Sequence, residues 1–246
     1  MNRIKDYSEV KDRVVEWITE YLYRNNINSL VVGVSGGIDS AVTSTLCAHT
    51  GFPVYALGMP LHQKEEQESL SDSHLDWLKN TFDNVTTIKV DLTNTFETFK
   101  NDLERYATDE LSLANTRSRL RMVTLYQIAG QYKGIVVGTG NKVEDYGVGF
   151  FTKYGDGGVD IAPIADLYKT EVWELGKFLG VDQRIIAADP TDGLWDDGRT
   201  DEDQLGVTYA HLEEAMECGT GSGVETLEHF NTLNQHKMQP IPTFKL

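Results

Sequence analysis

Leu30-Val31-Val32-Gly33-Val34-Ser35-Gly36-Gly37-Ile38-Asp39-Ser40 is the stretch whose reading decides the fold. Its first five residues form a β-branched run without polar alternation, as expected of a parallel strand buried on both faces. Two glycines interrupt the run. Ser40 to His49 is then small and apolar enough for a packed helix, which Gly51 and Pro53 end. In a strand–glycine turn–helix unit the glycines let backbone N–H groups turn inward as an anion nest. The helix N-terminus adds a partial positive charge, so the unit suits a phosphate. Ser35 and Ser40 add hydroxyl donors. Asp39 would repel a phosphate unless a cation lay between them, and Mg2+ binds in that way, through one or two carboxylates plus phosphate oxygens. A plain turn with Ser40 as helix cap accounts for the glycines, but not for the whole hexapeptide directly after a buried strand. The loop lacks the Lys-Ser/Thr of a Walker sequence and the GxGxxG of a dinucleotide fingerprint.

Working outward, Val10, Val14, Trp17, Ile18, Tyr21 and Leu22 recur at helical spacing, which predicts an amphipathic helix over residues 8–24. Pro53 to Leu57 and Val85 to Val90 read as further strands, with a polar, partly helical stretch from Gln63 to Asn80 between them. A long helix over Asn115 to Tyr132 precedes a fourth strand, Ile135 to Gly138. Strands alternating with helices predict an α/β fold, a doubly wound, mostly parallel sheet with helices on both faces. No fixed-period repeat or Gly/Ser-rich linker divides the chain, so a single domain over residues 1–246 is expected. The acidic, turn-rich stretch from Asp189 to Gly206, with Asp192-Gly193 and Asp196-Asp197-Gly198, reads as a functional loop.

Composition narrows the function. Twenty-two basic residues against 38 acidic ones leave a formal charge of −16. Nucleic-acid binding draws on Lys and Arg neutralising phosphates, so a nucleic-acid partner is not expected. Cys47 and Cys218 form no CxxC pair, which argues against a disulfide framework or a thiolate zinc site. No apolar run reaches the ~18–20 residues that span a bilayer, and the first residues lack a signal-peptide core. A cytoplasmic protein without membrane association is expected.

Other segments carry candidate chemistry. At about 100° per residue, Arg117 and Arg121 share a helix face while Arg119 points away, so the three cannot form one solvated stripe. Thr139 lies just past a strand's C-terminal end, where open α/β sheets bind ligands. Glu144 is a second carboxylate for Mg2+. Lys153, Asp156 and Asp160 lie in or beside the glycine-rich run Gly155 to Gly158. Lys169 precedes a helix that Thr170 is expected to cap and Gly180 to end.

The hexapeptide Ser35 to Ser40 resembles the loop of the ATP pyrophosphatases, which transfer AMP to a substrate oxygen. The segment Gly138 to Glu171, with Phe151-Thr152-Lys153-Tyr154-Gly155-Asp156-Gly157-Gly158, resembles the NAD synthetases. Pro190-Thr191, Thr200 to Gly206 and His236-Lys237 extend that similarity over nearly the whole chain. The resemblance implies an adenine nucleotide α-hydrolase-like fold and a two-step ligation. The nicotinate carboxylate of nicotinic acid adenine dinucleotide is adenylated by ATP, and ammonia then displaces AMP to give NAD. By matching position, Gly33, Val34, Ser35, Gly36, Gly37, Ile38, Asp39, Ser40, Thr139, Lys169 and Thr191 would meet ATP. Asp39 and Glu144 would hold Mg2+. Arg119, Lys153, Asp160, His236 and Lys237 would meet the dinucleotide, and Asp156 would hold ammonium or take its proton. Asp156 and Lys169 are thus the implied catalytic pair. A homodimer is implied too, with the dinucleotide at the subunit interface.

Two departures stand out: Met238 where many relatives carry Arg, and Thr191-Asp192-Gly193-Leu194-Trp195, which matches one branch of the family. Glutamine-using relatives carry a separate amidase domain with a catalytic cysteine, whereas here the synthetase-like stretch takes up the 246 residues and neither cysteine has a Cys/His setting, so the resemblance implies free ammonia as the nitrogen donor. The other readings are a different ATP pyrophosphatase, GMP-aminating or tRNA-modifying, and a non-catalytic nucleotide sensor.

Overall fold

The computed structural model describes residues 3–106, 109–191, 193–195 and 199–246. In chain order come α1 (Tyr7–Asn25), β1 (Ser29–Gly33), α2 (Ile38–His49), β2 (Val54–Gly58), α3 (Glu65–Thr81), β3 (Val85–Lys89), α4 (Thr93–Leu103), α5 (Glu110–Tyr132) and β4 (Gly134–Val137). A π-helical segment, Lys142–Val148, follows. The remaining helices are α6 (Lys169–Leu179), α7 (Gln183–Ile186), α8 (Asp201–Leu205), α9 (Tyr209–Cys218) and α10 (Val224–Met238).

The strands lie in the order β3-β2-β1-β4 and every neighbouring pair is parallel. Side chains of β1 alternate between the two faces, as strand geometry requires. Leu30 and Val32 pack with Ile18 and Leu22 of α1, Cys47 and Ala48 of α2, and Leu75 and Leu78 of α3. Val31 packs on the opposite side with Phe96 of α4 and Met122 and Leu125 of α5. Both faces are therefore covered, which is why β1 carries no polar alternation. Burying each such Val or Leu contributes roughly 1.5–3 kcal/mol.

From β1 the chain steps to β2 and β3, then returns to place β4 on the other side of β1. That reversal opens a crevice at the carboxyl ends of β1 and β4, the usual ligand position in open α/β sheets. The Ser35–Ser40 loop leaves β1 at this point and Thr139 leaves β4. The doubly wound expectation holds. The expected opening helix is α1, started by Asp6, whose carboxylate accepts the N–H groups of Ser8 and Glu9.

One local expectation fails. Thr170 does not cap α6. Tyr168 holds the cap position, and the Glu171 carboxylate accepts its N–H at 2.9 Å. Thr170 instead lies within the first turn and gives both its N–H and its hydroxyl to Glu213, at 2.9 and 2.6 Å. Gly180 ends the helix as expected, at φ 77°. Of the acidic loop, Asp192, Asp196, Asp197 and Gly198 lie outside the described residues. Among the described residues no helix is long and apolar enough to cross a membrane. Both cysteines are free, Cys47 buried and Cys218 exposed.

Candidate active site

The loop between β1 and α2 is shaped by its own side chains. Ser40 Oγ accepts the Ser35 N–H at 3.1 Å and donates to the Gly37 carbonyl at 2.9 Å, while Ser35 Oγ lies 3.1 Å from it. The two hydroxyls thus brace the turn as well as lining it. Gly36 sits at φ 89°, and a Cβ there would stand 2.7 Å from the Gln67 carbonyl oxygen, so this turn needs glycine. Gly37 is the N-cap of α2 and no side chain caps the helix. The N–H groups of the first turn, at Ile38, Asp39 and Ser40, are therefore without intrahelical partners, as an anion site requires.

Lys169 is the centre of the site. Only 2% exposed, it reaches from the first turn of α6 to Asp39 Oδ2 at 2.5 Å and Glu144 Oε1 at 2.9 Å. Lysine is almost never this buried unless paired. Burial alone would make its ammonium easier to deprotonate, but the charges of Asp39, Glu144 and Asp201 outweigh that and raise its pKa. Asn141 orders the pair further. Its amide donates to Asp39 Oδ1 at 3.1 Å, and its carbonyl oxygen caps the π-helical segment by accepting the N–H groups of Val143 and Glu144. Burial works against ionising Glu144, yet Lys169 and the Tyr209 hydroxyl, which donates to Oε1 at 2.6 Å, hold its pKa below the usual range. Asp145 next to it is pushed up to about 8, by burial first and then by the charges of Glu144, Asp156 and Asp39.

Asp39 and Glu144 converge on one cation, and that donor set fits Mg2+, a hard ion that takes few protein carboxylates and fills its other positions with water and phosphate oxygens. Among the described residues there is no group of three or more His, Cys, Asp or Glu disposed as an all-protein metal cage.

Two cavities meet at this point. One, of about 180 Å³, is lined by the Ser35–Ser40 loop, Glu144, Lys169 and Thr191. The other, of about 190 Å³, is lined largely by apolar groups, among them Met59, Met122, Leu125 and Val159, with Arg121 at its wall. Ser35, Ser40, Thr139 and Asp156 line both. The charged cavity suits phosphates and the apolar one a flat ring system. Asp156 is held at the junction by Ser118, whose hydroxyl donates to Oδ1 at 2.6 Å, and by the Thr152 N–H at 3.0 Å. Asp156 as a residue is exposed, but the protein enclosing its carboxylate raises its pKa, with the Ser118 and Thr152 bonds opposing.

The remaining candidates form a second group on the outer side of α5. Arg119 Nε donates to the Lys153 carbonyl at 3.2 Å, Lys153 Nζ to the His236 carbonyl at 3.2 Å, and Lys237 Nζ to the Phe151 carbonyl at 2.8 Å. Burial lowers the Lys237 pKa. Asp160 stands apart from these groups. Its carboxylate accepts the Val136 N–H at 2.7 Å and the Tyr126 hydroxyl at 3.0 Å, two turns along α5 from Arg119. Met238 packs its sulfur against Gly149. The arginine face Arg117/Arg121 turns inward: Arg117 donates to the Leu194 carbonyl at 2.7 Å over the Phe96 ring, and Arg121 to the Met59 carbonyl at 3.3 Å. Sequence reasoning gave no role to Asn141, Tyr209, Asp201 or Ser118. Asn141, two residues past Thr139, and Asp201, inside the acidic stretch Asp189 to Gly206, each have a signal in the sequence; Tyr209 and Ser118 reach the site through tertiary packing.

The profile of the NAD synthase family matches residues 10–244. The NH3-dependent NAD+ synthetase of Carboxydothermus hydrogenoformans is 38% identical, across 94% of this chain and 95% of that protein. That of Alkaliphilus metalliredigens is 39% identical, across 94% and 96%. Among solved structures, the NMN synthetase of Francisella tularensis superposes with a TM-score of 0.89 at 34% identity, covering 99% of this chain and 100% of that one. The Campylobacter jejuni NH3-dependent NAD synthetase, at 24% identity and a TM-score of 0.78, shares the fold. The chain therefore belongs to the NAD synthase family and is a ligase that forms a carbon–nitrogen bond with ATP as co-substrate.

Proposed function

We propose that residues 1–246 act as one ammonia-using NAD synthetase domain, amidating the nicotinate carboxylate of nicotinic acid adenine dinucleotide. The observation that carries this reading is the buried Lys169 ammonium between Asp39 and Glu144, beside an uncapped helix N-terminus. ATP lies with its ring in the apolar cavity past Met59 and Leu125 and its phosphates on the Ser35–Ser40 loop, in reach of Thr139 and Thr191. Asp39 and Glu144 would hold Mg2+, which neutralises charge on the phosphates when bound. Lys169, released from the carboxylates, binds the phosphates as the substrate carboxylate attacks the α-phosphate and pyrophosphate leaves. Its charge matches the charge that develops there. Asp156 at the cavity junction holds ammonium, takes a proton from it and directs ammonia to the acyl adenylate, from which AMP departs.

Arg119, Lys153, His236 and Lys237 meet the dinucleotide at one end, and Asp160, two turns along α5 beside Tyr126, meets it farther along. Beside them α5 exposes Val123, 67% exposed, and Tyr126, with Tyr154 nearby at 60%. Apolar groups grouped beside a charged site support a homodimer across this face. The formal charge of −16 speaks against a nucleic-acid partner, and a cytoplasmic setting without membrane attachment suits these substrates. The two NH3-dependent relatives are matched over nearly their full length, which supports free ammonia as donor.

A second reading follows from the likeness to the Francisella NMN synthetase, 34% identical over the whole fold. The same amidation would then act on the mononucleotide acid. Purified protein with ATP, Mg2+ and ammonium, offered either acid and analysed by mass spectrometry, decides between them. NAD and AMP from the dinucleotide acid support the first reading. A large preference for the mononucleotide acid moves the assignment to the second. AMP release with neither acid overturns both.

A further inference from the structure

Tyr209, the first residue of α9, is 1% exposed, and its hydroxyl lies between two carboxylates. It donates to Glu144 Oε1 at 2.6 Å and stands 3.1 Å from Asp201 Oδ2. Glu144 Oε1 thus has two ties, Tyr209 and Lys169. The Lys169 ammonium in turn lies 4.8 Å from the centre of the Tyr209 ring. Under the proposed reading Lys169 leaves Glu144 for the phosphates, and the Tyr209 hydroxyl, at 2.6 Å, stays on Oε1 together with the side-chain contact of Asn141.

The fold holds Tyr209 firmly enough for this. Thr208 caps α9, and the Tyr209 N–H is accepted by Glu202 of α8 at 2.9 Å. Trp173 packs edge-on against the ring, with centroids 6.3 Å apart. Two turns on, the sulfur of Met216 would lie 2.8 Å from a Cβ at Gly147, so α9 braces the π-helical segment along its length. Segments of π-helix are rare and occur mostly at functional sites. Glu144 sits on one, and a free glutamate there would lose rotamer freedom on gripping a cation.

We propose that Tyr209 is a positioning residue for the metal carboxylate: its hydroxyl holds Glu144 aimed at the cation once Lys169 has moved to the phosphates. This rests on the reading of Asp39 and Glu144 as the Mg2+ ligands. Asp201 sits behind the hydroxyl, and its N–H is accepted by the Pro190 carbonyl at 2.9 Å, so the segment bearing Thr191 is joined to the same carboxylate.

The test is Mn2+ binding, followed by electron paramagnetic resonance with a non-hydrolysable ATP analogue present, in wild type, Tyr209→Phe and Glu144→Gln. Tyr209→Phe is expected to weaken Mn2+ binding roughly tenfold, the usual size for one lost bond to a charged group. The Mg2+ concentration for half-maximal rate should rise by the same factor while kcat at saturating Mg2+ holds. Replacing Tyr209 by 4-aminophenylalanine, which restores a donor, should return the affinity, and 4-methylphenylalanine, equal in size without one, should not. That pair keeps the test decisive if Tyr209→Phe fails to fold. Equal Mn2+ affinity in the pair overturns the role of Tyr209 when Glu144→Gln still weakens binding. If Glu144→Gln leaves Mn2+ binding unchanged, the metal reading itself falls.

Discussion

The Lys169 ammonium meets the Asp39 carboxylate at 2.5 Å across 130 residues of sequence, and Glu144 shares the same nitrogen at 2.9 Å. Lys169→Met leaves two largely enclosed carboxylates without their cation. Uncompensated buried charge costs about 3–5 kcal/mol, so the melting temperature should fall clearly in magnesium-free buffer. Added Mg2+ should raise the melting temperature of the variant more than that of wild type. The rate should fall at least about a hundredfold, as removal of one transition-state charge donor does. Scanning calorimetry with and without Mg2+ checks the first two points; equal Mg2+ effects would show that the ammonium and the metal do not share the carboxylates.

Asp156 is held by Ser118 and Thr152 at the junction of two cavities. Asp156→Asn keeps the shape and removes the charge. The KM for ammonium is expected to rise about tenfold or more, as for a lost charge-assisted bond, while ATP affinity stays near wild type. Equal losses in both would assign Asp156 to general loop structure.

Gly36→Ala tests the backbone. At φ 89°, with the Gln67 carbonyl oxygen 2.7 Å from the added carbon, the turn cannot close unchanged. Strain of about 1–3 kcal/mol is expected, seen as a lower urea midpoint together with a loss of ATP binding by calorimetry. Retained ATP binding would mean that the loop relaxes without disturbing its N–H groups.

His74 sets part of the pH response. It is buried against Ser44, 3.0 Å away, and burial lowers its pKa to about 4. An unfolded histidine, near 6.5, takes up its proton first as pH falls. Stability is therefore full above about pH 6.5 and is lost progressively down to about pH 4, amounting to about 2 kcal/mol at pH 5. His74→Gln should flatten that slope between urea titrations at pH 7.5 and 5. An unaltered slope would place the acid sensitivity elsewhere.

The fold was legible because its signals are local. The unalternating strand Leu30 to Val34, the glycine turn and the 3.6-residue spacing of α1 each report their own burial. The candidate loop Ser35–Ser40 and Thr139 follow from strand ends, whereas Glu144 is read as a second carboxylate for Mg2+ with the help of the family resemblance. Thr170 misled because Glu171, three residues past Tyr168, supplies the acceptor for the first N–H, leaving Thr170 free to bond Glu213. Tyr209 and Asp201 were hidden for another reason. Tyr209 comes from α9 and Asp201 from α8; the acidic stretch marks Asp201 as part of a functional loop, but no spacing says that this corner folds over Glu144. Arg117 and Arg121 were placed on one face correctly, but only packing shows that this face turns inward.

The return of the chain from β3 to β4 also orders events in time. β1 pairs with β2 across a short crossover, Val31 meeting Tyr55, whereas its other neighbour brings Val31 to Val136. Closing the longer loop costs more entropy before any contact repays it, so pairings of this kind form late. A refolding chain is expected to build the β3-β2-β1 half with the Ser35–Ser40 loop first, and to gain Thr139, Glu144 and Lys169 after β4 docks. In pulse-labelled hydrogen exchange, amides of β1 and β2 should gain protection before those of β4, with nucleotide affecting only the final phase. The nucleotide is then a latch on the completed sheet, not a template for it.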